Sequence, residues 1–90
     1  MFSMEMRALT AQLQDGSDEG KEQAAGALWG LAFNFENNVK ITAAGAIPPL
    51  VALLSEGSDV GKANAAGALV NLAGNADNRC EMVRLGHQPH

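Results

Sequence analysis

The sequence predicts an all-α fold, a solenoid of stacked helical units with about six helices, and three observations predict it. The first is repetition. "DGSDEGKEQAAGALWGLA", opening at Asp15, returns as "EGSDVGKANAAGALVNLA", opening at Glu56. Displacing the chain by 41 positions pairs residues 9–49 with 50–90, and 19 of the 41 pairs are identical. Self-similarity at a period of about 40 residues marks units too small to bury their own apolar faces, so that each needs a neighbour. The second is spacing, because apolar residues recur at helical intervals within each period. The third is composition. With 47% apolar residues, only 4% aromatic ones, no Tyr and 10 Gly, the chain suits close-packed small-residue helices and argues against a β-rich core.

Each element follows in order. Phe2, Met6, Leu9 and Leu13 form a first apolar stripe. Ala24, Leu28, Leu31 and Ala32 line the packed face of the next helix, and Val39, Ile41 and Ala44 fall in a short one stopped by Gly45. Ile47, Leu50, Val51 and Leu54 then fall at i, i+3, i+4 and i+7, with Pro48 and Pro49 in the first turn, where no donor is lost. That helix ends at "SEGSD", where Gly57 is expected in a left-handed conformation and Ser58 or Asp59 as the next cap. A helix from about Val60 to Ala73 packs through Ala65, Leu69, Leu72 and Ala73. After the turn Asn75-Ala76-Asp77-Asn78, a last short helix is expected from about Arg79 to Leu85, before Gly86. The units divide as a partial repeat over 1–33, a full one over 34–74 and a partial one over 75–90.

Composition narrows function. A formal charge of −4 leaves no cationic surface to displace counterions from nucleic acid, so none is expected as a partner. Cys80, the single cysteine, cannot staple the fold, which suits a reducing intracellular compartment, cytoplasmic or nuclear. No apolar run reaches the roughly 20 residues that span a bilayer, and "MFSMEMRALT" lacks the features of a signal peptide, so no membrane insertion is expected. "DGSDEG" imitates half a calcium loop, but the twelfth position is Gly26, where a bidentate carboxylate is required. Gly16 to Glu22 is one residue short of a phosphate loop and lacks its Ser or Thr. Cys80, His87 and His90 make a poor zinc cage with Pro89 between the histidines, and Cys80 aligns with Val39, which suggests a small buried apolar role. No nucleophile and base stand at catalytic spacing. Neither an enzyme nor a metal or cofactor site is expected.

The unit resembles an armadillo repeat. Asn34-Phe35-Glu36-Asn37, Ala44-Gly45, Ile47 to Ser55, Gly57-Ser58-Asp59 and Ala65 to Ala73 stand where the family has its "N-x-E/D-N", "A-G", "I-P-x-L-V-x-L-L-S", turn and "A-A-x-A-L-x-N-L-A" segments. The likeness covers nearly the whole chain, and "AAGALWGLA" and "AAGALVNLA" are closest in wording to plant-like and yeast vacuolar armadillo proteins. It implies a right-handed superhelix of three-helix units whose third helices line a concave groove for extended peptides or partner proteins. In the family an Asn on each third helix bonds the ligand backbone, often with a Trp one turn earlier. Asn71 matches that Asn, Gly30 replaces it in the earlier copy, and Gly67 and Gly26 occupy the Trp position. The array that takes basic nuclear-localisation peptides is therefore broken. Trp29 lies one residue before the Asn position and is not its equivalent.

The candidate partner-binding residues are those of the third-helix faces. Asn64, Asn71 and Asn75 fall at i−7, i and i+4, with Gln23 and Asn34 repeating the outer two. Their amides can both donate to and accept from an extended backbone, and can equally be ordinary solvated or capping groups. Gly26, Gly30 and Gly67 each cost about 1 kcal/mol in a helix relative to Ala. They allow close packing between units or a smooth groove floor. Trp29 and Phe33, beside Phe35, are core residues or an exposed anchor. The reading this supports is a protein-interaction module binding an extended peptide or partner protein. The alternatives are a structural segment that self-associates through exposed repeat ends, giving a homo-oligomer, and by analogy an adaptor for substrate recognition in ubiquitin transfer.

Overall fold

The computed structural model describes residues 4–74 and shows them as five helices in the expected order: α1 (Met4–Asp15), α2 (Asp18–Leu31), α3 (Phe35–Ala43), α4 (Ile47–Glu56) and α5 (Asp59–Leu72). Phe2, Asn75, the helix expected from about Arg79 to Leu85, and the Cys80, His87 and His90 set lie outside the described residues.

The repeated phrase folds twice in the same way. Ser17 and Ser58 hold extended backbone ahead of α2 and α5, and each hydroxyl accepts from the amide of the residue three further on, Gly20 or Gly61, at 3.1 Å. Those caps satisfy donors that the first turn leaves without partners. Asn34 does the same for α3, its Oδ1 accepting from the amides of Glu36 at 2.8 Å and Asn37 at 3.3 Å. α4 has no side-chain cap and starts instead on its two prolines, which remove donors from the orphan turn.

The stops differ from one another. Gly45 has φ +82°, the left-handed conformation that ends α3 and turns the chain, so that α3 and α4 meet at 85°. Gly57 does not share it: its φ is −78° and its ψ 176°, extended rather than left-handed. What requires glycine there is proximity. A Cβ on Gly57 would lie 2.5 Å from Leu53 Cδ1 and 2.6 Å from the Leu53 carbonyl oxygen. Gly16 repeats this against the Gln12 carbonyl oxygen, at 2.5 Å.

The core runs between the helices. Leu28, Ile41, Ile47, Leu50 and Leu72 are fully buried, and each contributes about 1.5–3 kcal/mol of transfer free energy as an upper bound. α2 packs chiefly on α5, α4 on α5, and α1 on α2. α2 and α5 thus form the seam between the two copies. Ala24, Ala25, Ala65 and Ala68 are all buried along these helices, where small side chains let the axes approach. Val39 faces the other way, 46% exposed on α3, so its alignment with Cys80 gives no ground for a buried role at that position.

Candidate functional site: the α2–α5 face

Two asparagines of α5 reach back across the seam. Asn64 Nδ2 donates to the Glu22 carbonyl oxygen at 3.0 Å, and Asn71 Nδ2 donates to that of Trp29 at 3.1 Å. Donors and acceptors are both seven residues apart, two helical turns, so the bonds form rungs of one ladder with a fixed register. One N–H of each amide in this pair is therefore engaged inside the protein. Each side-chain oxygen is left as the acceptor that could meet a ligand N–H.

Asn71 is also a junction. Its backbone carbonyl accepts from Asn38 Nδ2 at 3.1 Å, and Asn38 is buried on α3. One residue thus ties α5 to α2 through its side chain and to α3 through its backbone. Asn38 was not among the sequence-derived candidates. The available hint was an Asn in the interior of a short helix, where it is a poor helix former unless a tertiary contact holds it.

Glu22 is a second junction. Besides its carbonyl bond to Asn64, its carboxylate accepts from the hydroxyl of Ser58, the cap of α5. Gln23, one residue on, is exposed and bonds only locally, its Nε2 donating to Glu19 Oε1 at 3.4 Å. Asn34 is occupied by the α3 cap.

The three candidate glycines have three surroundings. A Cβ on Gly67 would lie 2.4 Å from Trp29 Cε2, so the indole lies against the bare backbone of α5 at that point. A Cβ on Gly26 would be 3.2 Å from the Asn64 amide nitrogen. Gly30 has nothing within 4 Å. Close approach between helices accounts for Gly67 and Gly26, and Gly30 is open.

Trp29 remains 39% exposed beside Asn71, whereas Phe33, in the turn to α3, and Phe35, the first residue of α3, are 75% and 72% exposed. The structure therefore brings Gly26, Trp29, Asn64, Gly67 and Asn71 together at the seam. Gly30 stands open on α2, Gln23 outside the ladder, and Asn34 at the entry to α3. A separate open cleft of about 450 Å³ lies between α1, the start of α2 and α4, with Asp18, Lys21 and Glu56 among its lining residues, and none of the candidate residues lines it.

Among the described residues no single helix is long and apolar enough to cross a membrane. Residues 36–74, which carry α3, α4 and α5, match the family described as the Armadillo/beta-catenin-like repeat. No match was found among curated proteins or among solved structures.

Proposed function

We propose that this chain, a member of the armadillo-repeat family through residues 36–74, binds an extended peptide or partner protein along the face shared by α2 and α5. The family is one of protein-interaction and scaffold modules and is generally non-enzymatic. The observation that carries the finer reading is Trp29. A large aromatic ring lies against Gly67 yet stays 39% exposed, beside Asn71, whose Nδ2 donates to the Trp29 carbonyl oxygen and whose side-chain oxygen is an acceptor. A rigid, part-exposed Trp has the character of an interface anchor, and a neighbouring amide supplies backbone recognition. The single cysteine and the negative charge fit a protein partner in a reducing compartment, cytoplasmic or nuclear.

The test is a selection of extended peptides on the immobilised chain, followed by an NMR titration. Shifts should concentrate on the Trp29 indole and the Asn64 and Asn71 amides, and Trp29→Ala should weaken binding by tenfold or more with helicity retained. Shifts centred on the α1–α4 cleft would refute the proposal.

A second reading, a structural segment that self-associates, is favoured by the bond that each of the two asparagines makes within the seam. On that reading the ladder serves stacking rather than a ligand.

A further inference from the structure

The two copies are the same helices in different surroundings, so comparing their burial position by position reveals which faces lack a neighbour. On α5, Ala68 and Leu72 are buried and Asn71 is half-buried; their counterparts on α2 are Ala27 and Gly30, both exposed, and Leu31, half-buried. The difference runs the opposite way on the other side. Ala25 on α2 and its C-cap Ala32 are buried, while Ala66 on α5 and its C-cap Ala73 are half-buried, and Trp29, 39% exposed, corresponds to Val70, 71% exposed. The second helices agree: Leu13 is buried where Leu54 is half-buried, and Leu53 is buried where Gln12 is exposed. Each open face is thus the half of an existing seam whose other half the chain also carries.

We infer that a second copy of this chain docks head to tail, its α2 against the outer side of α5, repeating between molecules the seam that α2 and α5 make within one. This deepens the self-association reading, on which it rests, by assigning the faces and their polarity. Both faces are largely apolar, with Ala27 and Leu31 on one and Ala66, Val70 and Ala73 on the other, and neither carries a charge on these positions. The polar rungs are what differ. Counterparts of the Glu22 and Trp29 carbonyls are those of Ala63 and Val70, and the counterparts of Asn64 and Asn71 are Gln23 and Gly30. Gln23 keeps an amide donor; Gly30 has none. The intermolecular seam is therefore the weaker version of the internal one, and an open space at Gly30 is where its missing rung belongs. Because the two faces are unlike, the contact is heterologous and cannot close as a two-fold dimer; repeating the intramolecular step from copy to copy continues the solenoid as an open series.

Sedimentation equilibrium of the full chain at rising concentration should give an average mass that climbs past dimer without a plateau. Val70→Lys and Ala27→Lys, each at an exposed position, should each remain monomeric with helicity unchanged by circular dichroism. Mixed in equal amounts they should form a 1:1 dimer and nothing larger, since each retains the face the other lacks. Gly30→Asn should tighten association of the parent roughly fivefold, the effect of one net hydrogen bond. A parent that stays monomeric at every concentration overturns this inference and the self-association reading together. Association that survives either lysine substitution, or lysine variants that fail to complement each other, overturns the head-to-tail seam alone.

Discussion

At Gly67 and Gly30 the same residue type answers to opposite constraints. Gly67 lies under the Trp29 ring, where a methyl group would come to 2.4 Å, while Gly30 has open space around it. Alanine at either position gains about 1 kcal/mol of helix propensity. At Gly67 overpacking of typically 1–3 kcal/mol opposes that gain and wins, because the displaced group is the fused part of the indole rather than a mobile tip. Gly67→Ala should therefore lower the melting temperature and shift Trp29 emission toward that of a solvated indole. Gly30→Ala should raise the melting temperature, by roughly 2–8 °C for a gain of about 0.4–1 kcal/mol, measured at dilution where the chain is monomeric. The sequence could not separate the two. Residues 29 and 67 are 38 positions apart, and their contact depends on how α2 and α5 are rotated about each other. The asparagines pose the same difficulty. Asn34, Asn64 and Asn71 share one amide chemistry, yet one caps a helix and two bridge a seam.

The helix caps show how one motif acquires two weights. Ser17 and Ser58 hold equivalent positions and equivalent cap bonds, but only Ser58 also donates to the Glu22 carboxylate. Ser17→Ala should cost about 1 kcal/mol, the loss of a cap alone. Ser58→Ala should cost more in urea titration. A double-mutant cycle with Glu22→Ala should recover the difference as a coupling, small because the pair is exposed. For α3, Asn38→Ala removes the buried bond to the Asn71 carbonyl and should cost about 1–3 kcal/mol, more than loss of a surface amide. Helix order and all five helices among the described residues were legible in the sequence, and the cap of α5 was narrowed to Ser58 or Asp59, of which the structure uses Ser58, because these depend on local chemistry and on spacing within one turn. The conformation of Gly57 was not. Its glycine is required by the approach of Leu53, and a left-handed stop reads identically in a one-dimensional string. Val39 was misplaced for a related reason: a short helix with apolar residues two apart does not say which of them faces inward.

Across the molecule, the copies are held together by an apolar seam, two amide rungs and the Glu22–Ser58 contact. Neither copy keeps its buried face without the other, so the two should unfold as one unit. Trp29 is the only tryptophan and stands at that seam, which makes its fluorescence a report on the joint while far-ultraviolet dichroism reports on all helices. The two signals should give coincident urea transitions; an earlier fluorescence midpoint would show the joint opening before the helices melt. The repeat itself made this scale readable from sequence, since a period of 41 residues already specifies neighbouring copies.

The rungs also give the molecule a direction. Donors lie on the later helix and acceptors on the earlier one, so a duplicated 34–74 segment spliced in after Gly74 would arrive with its own pair of asparagines for the Ala63 and Val70 carbonyls. A segment inserted ahead of α1 would find Gln23 and Gly30 instead, and would stay loosely joined until those two positions mutated. Lengthening by gene duplication is favoured at one terminus only.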